Sequence, residues 1–159
     1  MSMNRRKALQ TTGGLGVLGM FVAAGVITPE EARAAQAAER NAAAFQSDDV
    51  NGVVRAYGGD RVAISDRITI TAPDIAENGA VVPVGVSTTL SNVQMIALMV
   101  EKNPKPLAAA FTMSAEMEPF VTTRVKMGQS SDVYALVRAD GRLHMARREI
   151  KVTLGGCGG

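Results

Sequence analysis

The chain has 159 residues, of which 47% are hydrophobic and 20% charged, a composition typical of a globular protein with a buried core. Its formal net charge is +2, and beyond residue 34 thirteen basic residues balance thirteen acidic ones. A neutral domain without tryptophan lacks the basic surface and stacking side chains that nucleic-acid binding needs, and a single cysteine with a single histidine excludes internal disulfides and the usual zinc sites.

Residues 1–34 have the features of a bacterial export signal. Arg5 and Arg6 precede a glycine-interrupted apolar run, and a stretch of small residues follows near Ala34. The paired arginines and the mild hydrophobicity favour the twin-arginine export route. The run from Gly13 to Ile27 has about 15 residues, fewer than the roughly 20 that a spanning helix requires, so we expect a cleaved signal and no stable membrane anchor.

The segment that follows is predicted to be helical, and the remainder to be a β-domain. Residues 35–60 begin with an alanine-rich run that favours helix, and Ser47-Asp48-Asp49 offers a cap for a second short helix. In residues 61–154, valine, isoleucine and threonine occur in short runs separated by turn signals such as Asn78-Gly79. About seven antiparallel strands of this kind predict a mainly β fold, a β-sandwich preceded by a short helix.

Two strands carry unusual residues. Val93–Glu101 is apolar on both faces, which predicts a central strand, or one whose second face is covered by the helix or by a partner chain. It and the segment Met113–Met117 are therefore also candidates for a docking surface. Pro83 predicts an edge position or a bulge in its strand, because proline cannot donate a ladder hydrogen bond.

The last hairpin is marked by Asp140-Gly141, the strongest short-range hairpin signal in the chain. In its second strand, Leu143 and Met145 share one phase of the alternation. Ile150 shares the opposite phase with Val152 and Leu154, so a bulge is predicted near residues 146–149.

Residues 155–159 read Gly-Gly-Cys-Gly-Gly and contain the only cysteine, Cys157. The four glycines, which are Gly155, Gly156, Gly158 and Gly159, have no side chains to pack, so we expect a flexible carboxy-terminal arm. No histidine or charged residue adjoins the thiol to activate it. The pattern therefore predicts a covalent carrier activated by partner enzymes rather than an enzyme, with Cys157 as attachment site, no catalytic residue, no cofactor and no metal.

Four polar residues of the last strand are interpreted more conservatively. Arg147, Arg148 and Lys151 could attract an anionic cargo, but a solvated strand face is the favoured interpretation. His144, early in the last strand, is interpreted as a surface or packing residue rather than a proton shuttle, since no partner for it is visible in the sequence.

The ending Val152-Thr153-Leu154-Gly-Gly-Cys-Gly-Gly closely resembles that of the SoxY family, the thiosulfate-carrier subunits of the Sox sulfur-oxidising system. The paired arginines of the leader and the stretch Ala76–Val84 share in the resemblance. It implies an immunoglobulin-like antiparallel β-sandwich in the periplasm, paired with a SoxZ-like subunit. It further implies that a haem enzyme couples thiosulfate to Cys157, a hydrolase releases sulfate, and a molybdenum enzyme oxidises the remaining sulfane sulfur.

Two other functions remain open at this point. A ubiquitin-like sulfur carrier would use the carboxylate of Gly159 at the terminal Gly-Gly, although the export signal and the strand-rich order argue against it. A structural subunit would bind a partner through the sandwich and use the tail only to seal that interface.

Overall fold

The computed structural model describes Thr28, residues 41–60, Val62 and residues 64–153. The helices and strands of these described residues belong to the unit that begins at Asn41. The predicted export signal, most of the segment before Asn41, and the predicted arm at residues 155–159 lie outside the described residues.

Two short helices precede the strands, α1 at Ala42–Gln46 and α2 at Val50–Ala56. The side chain of Asn41 caps α1 by accepting from the Ala44 N–H at 3.1 Å, and the carboxylate of Asp49 caps α2 by accepting from the Gly52 N–H. The Ser47-Asp48-Asp49 signal therefore marks a true helix start.

The strands form two sheets. The three-stranded sheet has the order β1-β3-β6 and the five-stranded sheet the order β2-β8-β7-β4-β5. Every described strand pair is antiparallel except β2–β8, which is parallel. The bounds are β1 Ile68–Thr71, β2 Ile75–Ala76, β3 Val82–Thr88, β4 Val93–Val100, β5 Leu107–Thr112, β6 Phe120–Val125, β7 Ser131–Ala139 and β8 Arg142–Val152.

The main core lies between the two sheets. The alternating positions of each strand that point inward are apolar and buried, such as Ile70 in β1, Val84 in β3 and Val137 in β7. Fully burying a side chain of this size contributes about 1.5–3 kcal/mol. The predicted mainly β fold, an immunoglobulin-like sandwich of two sheets, is confirmed.

Strand β4 is buried on both faces. Ile96 and Leu98 point into the space between the sheets, whereas Ala97 and Met99 point to the opposite side, into a second cluster that includes Val53 of α2. The strand lies between β7 and β5, so it is internal as predicted, and the helices of the same chain cover its second face. The prediction that Val93–Glu101 forms a docking surface is therefore wrong.

The bulge predicted in β8 is also wrong. β7 and β8 pair without any register shift from Ser131 opposite Ile150 to Ala139 opposite Arg142. The two apolar phases are two faces of one regular strand. Leu143 packs in the second cluster with the helices, whereas Ile150 packs between the sheets.

Two local predictions, the hairpin turn at Asp140-Gly141 and the edge position of Pro83, are confirmed. Asp140 and Gly141 have φ values of 49° and 73°, so both central residues of the β7–β8 hairpin occupy the left-handed region. Strand β3 is the middle strand of its sheet, but β1 ends opposite Gly85, so Pro83 lies beyond the end of β1 and borders only β6. Its position is locally an edge.

Candidate functional site

The predicted attachment site lies just past the described part of the chain. Thr153 is the last described residue, and Cys157 follows it by four positions. Cys157 and the glycines around it lie outside the described residues, so their predicted roles stay predictions. The structure describes the end of β8, from which this segment continues.

One side of that end is held by β2. The two-residue strand Ile75–Ala76 runs parallel to Lys151 and Val152. The Lys151 N–H donates to the carbonyl of Asp74 at 2.9 Å, and the Thr153 N–H donates to the carbonyl of Ala76 at 3.1 Å. β2 therefore extends the hydrogen-bonded ladder to the last described residue.

The other side is held by one hydroxyl. β7 begins at Ser131, opposite Ile150, so none of the described strands faces Val152 on that side. The Ser130 Oγ accepts from the Val152 N–H at 2.9 Å and donates to the Val152 carbonyl at 3.4 Å. The Ser130 side chain thus replaces the missing strand residue, since it supplies both a donor and an acceptor.

The turn between β2 and β3 closes over the Val152 side chain. A Cβ at Gly79 would lie 2.9 Å from Val152 Cγ1 and closer still to the carbonyl oxygen of Met127. The Met127 N–H donates to the Gly79 carbonyl at 2.7 Å, so the two segments are already in contact. Only glycine fits at this position, which gives the predicted Asn78-Gly79 turn a packing role.

The three predicted cations near the arm have different surroundings. Lys151 is exposed, and Arg147 forms a 3.4 Å ion pair with Asp132. Arg148 is not on a solvated face, because it shares the phase of Ile150. Its guanidinium donates to the Ile70 carbonyl at 3.2 Å and to the Asp74 carboxylate at 2.8 Å, and its Nε is buried without a hydrogen-bond partner in the part of the chain that the structure describes.

Arg148 therefore links β8 to the connection between β1 and β2, and through Asp74 it supports the strand that borders Lys151. Nothing in its sequence position indicated this role, because the residue it contacts lies 74 positions away. Ser130 and Asp74 were missed for the same reason. The only local signal was the change from strand to turn residues at positions 128–130.

His144 lies at the other end of β8. It is half-buried and lines an open cavity with Arg67, Leu90 and Asp140, near the β7–β8 hairpin. Among the described residues, no group of three or more histidine, cysteine, aspartate and glutamate side chains is arranged to hold a metal. None of the helices in the described ranges has the length and apolar character needed to cross a membrane.

Comparison with known proteins places the chain in a family. Residues 54–157 match the family model of the sulfur oxidation protein SoxY. The structure of the sulfur carrier protein SoxY from Chlorobium limicola f thiosulfatophilum is similar, with 35% identity and a TM-score of 0.61 over 69% of this chain and 96% of that one.

A superoxide reductase (neelaredoxin) from Ignicoccus hospitalis is 24% identical, with a TM-score of 0.49 over 54% of this chain and 80% of that one. No curated protein matches the chain. The family match covers 104 of the 159 residues and ends at the lone cysteine. The chain belongs to the SoxY family of sulfur oxidation proteins.

Proposed function

We propose that this protein is a periplasmic sulfur carrier that holds thiosulfate-derived intermediates covalently on Cys157. One observation carries the proposal: the SoxY family match runs from residue 54 to residue 157 and so includes the only thiol of the chain. The similar Chlorobium protein is described as a sulfur carrier. The residues next to Cys157 in the sequence are glycines without side chains, which favours a role for the Cys157 thiol as a group that reacts with other proteins.

The proposed chemistry begins with an oxidative coupling. The Cys157 thiol and thiosulfate join through a new S–S bond, with loss of the thiol proton and of two electrons to a haem enzyme. A hydrolase then adds water to the terminal sulfonate group, which leaves as sulfate with release of two protons and leaves a persulfide on Cys157. A molybdenum enzyme would accept six electrons as three waters convert that sulfane sulfur into a sulfonate, with release of six protons, and a second hydrolysis would release this group as sulfate and return the thiol.

Each of these steps is assigned to a partner, so the carrier contributes the attachment atom and its presentation. The glycines on both sides of Cys157 add no bulk that would hinder entry into a narrow active site. We further propose that twin-arginine export takes the protein to the periplasm as a heterodimer with a SoxZ-like subunit. Export with a folded partner would explain why a chain without an evident cofactor uses this route.

The first test is the intact mass of the mature protein, purified without reductant from cells growing on thiosulfate and measured again after reduction. We expect a reductant-labile sulfur adduct on Cys157. An adduct on the Gly159 carboxylate would instead support the ubiquitin-like carrier, which the two-sheet sandwich already disfavours because those proteins have a β-grasp fold.

The second test separates a carrier from a structural subunit. Cys157→Ser should abolish thiosulfate oxidation in a reconstituted system while the unfolding temperature and subunit pairing stay unchanged. A matched control adds Thr153→Cys to that variant, so that the thiol moves to the last residue held by β2. We expect no recovery from the control, and retained activity in Cys157→Ser itself would refute the carrier function.

Export and pairing are tested by fractionation and co-purification. The mature chain should be found in the periplasm, and replacement of Arg5 and Arg6 by lysine should retain it in the cytoplasm. A tagged chain should co-purify with one smaller subunit. Export that is unchanged without the paired arginines would contradict the proposed route.

A further inference from the structure

Strand β8 continues for two residues, Lys151 and Val152, after its ladder with β7 ends. The last β7–β8 pair is Ser131 opposite Ile150, yet Lys151, Val152 and Thr153 each donate their backbone N–H to a partner. The partners alternate between the two sides, as in a regular strand: Asp74, then Ser130, then Ala76. We call these three partner residues the clasp.

The clasp decides how much of the chain can extend from the domain. Cys157 is the fourth residue after Thr153, so its Cα lies at most ~14 Å from that of Thr153 even when the chain is fully extended. Without the clasp the last held residue would be Ile150, seven positions before Cys157, and the reach would be ~25 Å. The clasp therefore confines Cys157 to within ~14 Å of Thr153, whereas without it Cys157 could lie anywhere within ~25 Å of Ile150.

The contacts of the clasp indicate a role beyond completing the hydrogen bonds at the end of a strand. β2 has only two residues, and β8 is its only neighbour among the described strands, so it adds little to the sheet itself. Arg148 nevertheless binds the Asp74 carboxylate at 2.8 Å, and the turn at Gly79 packs against Val152. Contacts from three separate segments thus converge on residues 151–153.

We infer that the clasp fixes the point of departure of the carrier arm at Thr153 and so limits the distance over which Cys157 can meet a reacting group. The inference rests on the proposed function of Cys157. Ser130 is then a positioning residue that holds Val152 through its hydroxyl, and the Asp74 carboxylate acts indirectly, by binding Arg148 and so supporting the backbone carbonyl of Asp74 that accepts from Lys151.

A limited reach has a consequence for the partner enzymes. A catalytic group that reacts with Cys157 must come within ~14 Å of Thr153, plus the length of the cysteine side chain. The enzyme surface must therefore contact the carrier around the clasp. A short tether also keeps the cysteine at a higher effective concentration once the partner is bound, since that concentration falls roughly as the −3/2 power of tether length.

The first experiment measures reach directly, without any partner. Cys157 is the only native thiol, so it takes one spin label, and a second is placed by Arg124→Cys on the exposed side of β6. We compare the distance distribution in the parent with that in Ser130→Ala/Asp74→Ala. We expect a broader distribution in the double variant, because Cys157 is then no longer confined to within ~14 Å of the held position of Thr153.

Two matched variants control for a general loss of stability. Ser130→Thr keeps the hydroxyl and should retain the parent distribution. Ser131→Ala removes the neighbouring hydroxyl, which accepts from the Lys102 N–H at 3.0 Å and does not contact Val152, so it should also leave the distribution unchanged. Identical distributions in the parent and in the double variant would overturn the inference.

The second experiment asks whether reach matters for transfer. Loss of the clasp lengthens the tether from four residues to seven, so single-turnover loading of Cys157 by the coupling enzyme should slow about twofold. Deletion of Gly155 and Gly156 should then have opposite effects in the two backgrounds. It should nearly stop loading of the parent, whose tether becomes two residues, and restore loading of the clasp variant.

A merely structural role of Ser130 and Asp74 cannot produce this change of sign, because removing arm residues does not repair a destabilised fold. Equal effects of the deletion in both backgrounds would refute the role in transfer. An absence of any adduct on the parent would refute the proposed function, and the distance measurement would still decide whether the clasp limits reach.

Discussion

The packing at Gly79 leads to a sharp prediction, the destabilisation caused by Gly79→Ala. The added Cβ would lie closer than 3.0 Å to the carbonyl oxygen of Met127, which is a backbone atom, and 2.9 Å from Val152 Cγ1. A carbon–oxygen contact needs about 3.3 Å, so the two segments would have to separate by on the order of 1 Å.

That separation acts on a hydrogen bond as well as on packing. The Met127 N–H donates to the Gly79 carbonyl at 2.7 Å, and it would be stretched by the same movement. Overpacking costs about 1–3 kcal/mol and a weakened hydrogen bond about 0.5–1.5 kcal/mol, so we expect a loss of ~2–4 kcal/mol in the free energy of unfolding. The unfolding temperature should fall by on the order of 10 °C.

The assay is urea unfolding followed by circular dichroism, with Gly128→Ala as the matched control. A Cβ at Gly128 has no atom within 4 Å, so the control should change the free energy of unfolding by less than about 0.5 kcal/mol. Equal stability of the two variants would show that the turn relaxes freely and would refute the close packing of Gly79 against β8.

Three further predictions follow from the same contacts. A chain that stops after residue 153 should keep the full free energy of unfolding, whereas one that stops after residue 150 should lose about 3 kcal/mol, one for each of three lost backbone hydrogen bonds; urea titrations decide. Leu98→Ala, at a fully buried position between the sheets, should cost about 2–5 kcal/mol in the same assay. Burial raises the pKa of Tyr57 and of Tyr134 above 10.0, although Arg138 beside Tyr57 partly opposes this. Because the pKa of each tyrosine is higher in the folded than in the unfolded state, the stability that these two residues contribute is complete below pH ~10 and is lost as the pH rises further. Unfolding at a series of alkaline pH values should show this decline, and replacing both tyrosines by phenylalanine should reduce its slope.

Alternation and turn chemistry made the sandwich predictable from sequence. The Asp140-Gly141 hairpin and the cap before α2 depend on residues close in sequence, and these were the most dependable signals. The burial of both faces of β4 was also visible in its continuous apolar run. The sequence did not show what covers the second face, because a helix and a partner chain bury apolar side chains equally well.

The prediction for β8 failed for a related reason. Its two apolar phases were interpreted as one face interrupted by a bulge, whereas the first half of the strand packs under the helices and the second half packs between the sheets. Periodicity reports which residues are apolar and not what lies above each face. Long-range pairs such as Ser130 with Val152, or Arg148 with Asp74, leave no periodic signal at all.

The end of β8 affects both the stability of the domain and the proposed carrier function. Up to Ile150 the strand has β7 as a full neighbour, and beyond it each backbone N–H depends on a single contact from the clasp. A glycine-rich tail gains entropy whenever the strand before it frays, so without these contacts fraying would progress toward the core. The same hydrogen bonds therefore protect the core and set the length of the arm, and a change in unfolding temperature alone cannot distinguish the two roles. A distance measured from Cys157 can, because it responds to the length of the released chain and not to the energy that held it.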